Sequence, residues 1–194
     1  MSLRRKLPQR SEHEKKYKNY KRYKSDLRKD FNQRCGYCDA DDMYLGWSSS
    51  FHIDHFAPQK KFKHLQTAYS NLVYACRYCN CSKSDYWPSN CPETSVVDNE
   101  GIIDPCAEEL DMHLERNSKG EIVPLTPLGS FIFDLLNLGL PRHSVLWKLH
   151  KLDTNLNQMD RLSGELNKAQ LEVYRALSSE YRRLLSYVGE VKNE

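Results

Sequence analysis

The chain has 194 residues, of which 39% are hydrophobic and 28% charged, which suits one modest core under a very polar surface and leaves no room for several large domains. No apolar run approaches the roughly 20 residues that span a bilayer, and the first residues lack the apolar stretch of a signal peptide, which argues against a membrane protein and for a cytoplasmic one. The net charge of +3 conceals an asymmetry, because residues 1–34 hold thirteen Lys or Arg against four acids, and a basic end of that kind points to an anionic partner.

From Ser11 to about Phe31 there is no Gly or Pro, and Tyr17, Tyr20, Tyr23, Leu27 and Phe31 recur at three- and four-residue steps. This predicts a helix with one apolar stripe and a face of lysines and arginines, either solvated or in contact with phosphates. Residues 1–33 are therefore expected to be a basic N-terminal helical segment. Residues 34–90 are short in period, aromatic and turn-rich, and they contain two Cys-x-x-Cys pairs. Residues 91–125 read as a linker followed by two short strands, MHLER and EIVPL, joined by a turn containing Gly120.

Residues 126–194 are expected to be helical. Thr126 before Pro127 is an N-cap followed by proline at the first helical position, opening a short buried helix through Phe131, Ile132, Leu135 and Leu136. Beyond Pro141, apolar residues from Val145 to Val188 recur mostly at three- and four-residue steps, which predicts one very long helix or a helical hairpin turning near Ser163–Gly164. Such a stripe covers the body of the protein, or it mediates a homodimer or the docking of a partner protein.

Seven cysteines are an odd number for a disulfide framework. In a reducing compartment Cys35, Cys38, Cys76 and Cys79 point instead to two knuckles that share one tetrahedral zinc. Four thiolates leave no open position on the ion, so this metal is expected to be structural. Cys81, Cys91 and Cys106 are then free thiols.

Between the knuckles lie Phe51-His52-Ile53-Asp54-His55-Phe56-Ala57-Pro58 and Ser70-Asn71-Leu72-Val73, and Cys79-Asn80-Cys81-Ser82-Lys83 overlaps the second knuckle. Histidine titrates near neutrality and can deprotonate water, while one carboxylate and one amide oxygen suffice for a hard cation that keeps several waters. In an ideal strand His52 and Asp54 face one way and Ile53 and His55 the other, so the strand is expected to end at His55. His52 is read as a supporting residue. Lys60, Lys61, Lys63 and Lys83 are ordinary solvated cations or clamps on a phosphate backbone.

The Asp-His pair, the following Asn-Leu and the closing Cys-Asn-x-x-Lys resemble, in order and spacing, the pattern of the HNH (ββα-metal) endonucleases over about residues 34–88. The resemblance implies an α+β fold: a zinc-stapled ββα-metal module with a basic N-terminal helix and a helical C-terminal region. It further implies a nuclease that cuts DNA, with His55 as general base, Asp54 and Asn80 holding a catalytic Mg²⁺ or Mn²⁺, and Asn71 bracing the loop of the histidine. Asn80 stands where many members carry histidine, which favours these harder ions. A zinc-ribbon module that binds nucleic acid without cutting it is the alternative. The segment from Asp104 to Leu138 also resembles the stretch C-terminal to the motif in bacterial antiphage nucleases of Septu-like and retron-associated systems, which work with an ATPase.

Overall fold

The structure is a computed structural model that describes residues 1–12, 16–162 and 166–190. Helices and small antiparallel sheets make an α+β fold. The helices are α1 (Lys24–Asp30), α2 (Arg77–Lys83), α3 (Leu110–His113), α4 (Pro127–Leu135), α5 (Pro141–Arg161) and α6 (Lys168–Glu190). The strands are β1 (Phe51–His55), β2 (Leu72–Cys76), β3 (Val96–Val97), β4 (Glu100–Gly101), β5 (Leu114–Arg116) and β6 (Ile122–Pro124), paired in sequence order as β1–β2, β3–β4 and β5–β6. No helix is long and apolar enough to cross a membrane among the described residues.

β1 and β2 form the centre. Their register sets Phe51 opposite Cys76 at one end and His55 opposite Leu72 at the other. β2 is apolar throughout and buried on both sides, with Tyr23, Leu27 and Phe31 among the buried residues of the same core. The first knuckle folds as a tight turn, Asp39 N–H donating to Cys35 O and Cys35 N–H to Ala40 O, each at 2.9 Å. Gly36 sits so close to this core that a Cβ there would lie 2.7 Å from the Phe31 ring and 2.9 Å from Val73, so a side chain at this position would displace both.

The N-terminal segment differs from its expected form. Helical structure begins at Tyr20, with a short 3-10 turn over Tyr20–Tyr23 capped by the Asn19 side chain, and continues as α1; residues 13–15 of the expected helix lie outside the described residues. Earlier residues bond to distant parts of the chain rather than to their own backbone. Gln9 N–H donates to Asp30 O, Arg10 donates to Leu72 O at 2.8 Å and to both oxygens of Asp104, and Arg4 reaches Pro105 O, Ala107 O and Asp111.

Most of the arginines of this segment are consumed inside the molecule. Besides Arg4 and Arg10, Arg28 pairs with Asp42, Arg34 with Asp41, and Arg5 with Asp39. A periodic stripe of tyrosines could not reveal this, because the paired acids lie outside the segment.

The hairpin around Gly120 forms as β5 and β6, with Gly120 at φ +81, but the first strand is shorter than expected, because Met112 and His113 belong to α3. α4 begins as expected, with the Thr126 hydroxyl accepting from Gly129 N–H at 3.0 Å and Pro127 in the first turn. The long C-terminal stripe divides into two helices, α5 and α6, packed on one another; the expected turn near Ser163–Gly164 lies outside the described residues. Leu146 and Leu149 of α5 and Leu184 of α6 are buried, so part of the seam is covered within the chain, while Leu171, Val173, Leu185 and Tyr187 remain exposed.

Two further contacts fasten α5 to the knuckle end of the core. The Arg142 guanidinium stacks 3.6 Å above the Tyr78 ring centroid and reaches Cys76 Sγ at 3.9 Å. Arg34 donates to His150 Nδ1 at 3.1 Å, and since a guanidinium can only donate, that nitrogen carries no proton. Burial and the charges of Arg5 and Arg34 accordingly hold His150 down, to about 4. Arg116, on β5, is buried and donates to Cys38 O at 2.6 Å, to Gly120 O at 2.8 Å and to Leu3 O at 3.3 Å.

Candidate functional site

At the Phe51–Cys76 end of the central hairpin, Cys35, Cys38, Cys76 and Cys79 come together. All four are buried and free of disulfides, and their sulfurs lie within 4.8 Å of one another. Cys38 Sγ and Cys76 Sγ are 3.9 Å apart, near the spacing of about 3.8 Å expected between sulfurs on a tetrahedral ion with 2.3 Å bonds. The donor set fits a closed four-thiolate metal site.

A cleft of about 790 Å³ runs along β1, with Phe51 to His55 in its lining, and extends to the His55 end of the hairpin. Alternation along β1 turns His52 and Asp54 towards α2, where they meet residues one helical turn apart. His52 Nδ1 lies 3.1 Å from Asn80 Nδ2, and Asp54 Oδ2 lies 3.0 Å from Lys83 Nζ. Asp54 Oδ2 also accepts from the Tyr37 hydroxyl at 2.5 Å, whereas Oδ1 has only a long contact to Lys83, at 3.4 Å. Burial pushes the Asp54 carboxyl up, and the Lys83 ammonium and Tyr37 hydroxyl oppose it. Tyr37 is held well above its usual range by burial and by the charge on Asp54, so it remains a donor.

His55 ends the strand and engages the loop beyond it. Its Nε2 lies 2.9 Å from Gln66 O; a carbonyl can only accept, so Nε2 carries the proton and Nδ1 keeps a lone pair. Burial holds this imidazole below its ordinary pKa against the Gln66 carbonyl and Asp54, leaving it neutral at pH 7. The edge of Tyr20 packs on the ring with centroids 4.7 Å apart.

Asn71 closes the loop with both ends of its amide. Oδ1 accepts from Ala57 N–H at 2.8 Å, and Nδ2 donates to Ala57 O at 2.9 Å and to Leu65 O at 3.4 Å. Because Phe56 N–H also donates to Asn71 O at 2.8 Å, the backbone leaving His55 is fixed on both sides.

Residues 33–85, which contain both ends of this hairpin, match the family model of the HNH endonucleases. The likeness to an HNH domain is confined to this segment. The chain is also similar to the Septu protein PtuB of Bacillus mycoides (strain KBAB4), at 27% identity over 117 residues, covering 50% of this chain and 39% of the relative. It thus spans about two fifths of that relative's length. No solved structure matches it.

Within the HNH domain, His55, Asp54 and Asn80 all line the cleft, whereas Asn71 stands behind it in the loop brace. The lysines separate. Lys60 lines the cleft and pairs with Asp85; Lys61 and Lys63 are exposed outside its lining. Lys83 corrects the expectation of a backbone clamp: it is 0% exposed, and its ammonium is spent on Asp54 and, at 2.9 Å, on His55 O. A cation that far inside cannot meet a phosphate at the surface; it balances a buried carboxylate. Tyr37, Tyr20, Lys21 and Lys24 belong to the site's surroundings and do not stand out in the sequence, because Tyr37 reads as knuckle filler and the others as part of a uniformly basic run.

Proposed function

We propose that the chain is a metal-dependent endonuclease that hydrolyses DNA phosphodiesters, with His55 as general base. The observation that carries this reading is the hydrogen bond from His55 Nε2 to Gln66 O, which leaves Nδ1 with its lone pair on a residue that lines the cleft together with Asp54 and Asn80. Nδ1 takes the proton from a water as its oxygen attacks phosphorus, and the O3′ departs with the electron pair of the broken P–O bond and takes a proton from solvent, giving 5′-phosphate and 3′-hydroxyl ends as the family resemblance implies. Asp54 Oδ1 and the Asn80 amide oxygen are the hard donors that would hold Mg²⁺ or Mn²⁺. That ion, when bound, supplies charge neutralisation at the phosphoryl and leaving oxygens. Asn71 keeps the loop behind His55 rigid, and Lys60, Lys61 and Lys63 contribute attraction for the backbone that does not depend on sequence.

Zn²⁺ is the metal that best suits the four buried thiols, in a structural role. The similarity to a Septu protein supports a place as the nuclease component of a bacterial defence system, working with a partner protein such as an ATPase. The exposed apolar residues of α6 are the surface we assign to that partner or to a second copy of the chain.

Supercoiled plasmid incubated with the full-length protein, with and without Mg²⁺ or Mn²⁺, tests the reading. The wild type is expected to convert it to nicked or linear DNA only with the ion, and His55→Ala is expected to lower the rate by about 10²–10⁴-fold with zinc content unchanged. Cutting by His55→Ala at the wild-type rate overturns the assignment.

A further inference from the structure

The cations that look most available in the sequence are not the ones the fold leaves uncompensated at the cleft. Five of the six arginines in residues 1–34 are paired with acids, and Lys83 is buried on Asp54. Lys60, the only expected lysine clamp lining the cleft, is paired with Asp85. Lys21 and Lys24 line the same cleft, and neither is in an ion pair with a described acid.

These two lysines lie outside the HNH domain, on the turn and helix that run from Tyr20 through α1. This turn has a defined place relative to the proposed base. Tyr20, the residue before Lys21, packs its ring edge on His55. Tyr23, in the same turn, is buried in the core and accepts from Tyr17 N–H at 2.9 Å. Lys24 comes directly after it and is half-buried. A cation drawn partly out of water with no anion beside it is held at a cost that an arriving anion relieves, and burial indeed lowers the Lys24 pKa. Arg77 adds a further exposed positive charge near His52.

We infer that Lys21 and Lys24 form the substrate wall of the cleft, each contacting a phosphate of the DNA strand that is cut, with Tyr20 fixing this wall against His55. The inference rests on the nuclease reading above and names where its substrate lies. The strand runs between the Tyr20–Lys24 turn and the β1 floor, so the N-terminal segment contributes to the site through two lysines and not through its arginines. Because both contacts are to phosphates, they add affinity without reading sequence.

Binding of a fluorescein-labelled DNA duplex, measured by anisotropy against salt, tests this without cleavage. The measurement uses full-length His55→Ala, and wild-type protein without added divalent cation as a second background. Lys21→Ala/Lys24→Ala is expected to reduce the slope of log K against log salt by about two. Equivalently, the ratio of wild-type to variant affinity should shrink about tenfold between roughly 50 and 200 mM salt. Zinc content and thermal midpoint should stay at wild-type values, and Lys119→Ala, at the β5–β6 turn, should leave the slope unchanged. A double variant that keeps the full slope overturns the inference, as does a larger loss from Lys60→Ala than from the double variant. A protein that binds with the expected change in slope yet never cuts plasmid upholds the wall and overturns the nuclease reading instead.

Discussion

The two ends of the β1–β2 hairpin each gather donor side chains and bring them to opposite states. At the cysteine end every chemistry-bearing atom faces another, four sulfurs gathered within 4.8 Å and capped by the Arg142 guanidinium. At the cleft end each group is committed on one side only: His55 through Nε2, Asn80 through Nδ2 to His52, and Asp54 chiefly through Oδ2. A closed donor set suits a metal that holds structure, and a set with free lone pairs facing a cleft suits chemistry. The same short hairpin can serve both because α2 bridges its length, carrying Cys79 for one end and Asn80 and Lys83 for the other.

The contrast breaks most visibly at the closed end. Cys79→Ser should abolish the cooperative unfolding transition of the HNH domain and lower bound zinc from about one per chain, since a structural zinc supplies about 10–16 kcal/mol in small domains. Circular dichroism and metal analysis read both, and a variant that folds normally without metal would show that the thiols are held by packing alone.

At the open end the effects should be smaller and graded. Lys83→Met leaves the Asp54 carboxylate buried without its cation and should cost about 3–5 kcal/mol in urea unfolding; a loss below about 1 kcal/mol would mean that water reaches Asp54 and that the end is more open than its geometry indicates. Asn71→Asp turns a donor into an acceptor facing the Ala57 and Leu65 carbonyls. It should cost about 1–3 kcal/mol and speed amide exchange over residues 56–66, while zinc content holds. Unchanged exchange in that loop would remove Asn71 as its brace.

The smallest effect concerns how α5 is attached. His150 has its folded pKa lowered to about 4 from the ordinary 6.5, so the unfolded chain takes up a proton before the folded one does. Its contribution is complete above pH 6.5 and is lost progressively as pH falls towards 4. His150→Gln should flatten the fall of the thermal midpoint across that window, and parallel curves for the two proteins would show that Arg34 does not hold this imidazole neutral.

The HNH domain was legible in the sequence because its chemistry is local: two Cys-x-x-Cys pairs, Asp54-His55, and Asn71 and Asn80 at fixed spacing are each specified by a few neighbouring residues. The β5–β6 hairpin and the Thr126–Pro127 helix start were legible for the same reason, being set by turn and cap chemistry. What sequence left open was decided by partners far along the chain. Arg10 with Asp104 and Arg4 with Asp111 fasten the residues ahead of the expected helix to distant parts of the chain. Lys83 reads as one more surface lysine until Asp54 is placed beside it. The division of the basic segment into paired arginines and unpaired cleft lysines has no periodic signature.

A motif that is contiguous in sequence need not be transferable. The HNH segment ends at residue 85, yet the Leu72 carbonyl within it is satisfied by Arg10 and the Cys38 carbonyl by Arg116. A recombination event that moved residues 33–85 alone into another gene would carry the ligands and the base and would strand these backbone acceptors, at about 1–3 kcal/mol for each left buried without a donor. The heritable unit is therefore wider than the recognisable one, and a successful graft has to bring the N-terminal arginine and the β5 arginine with it.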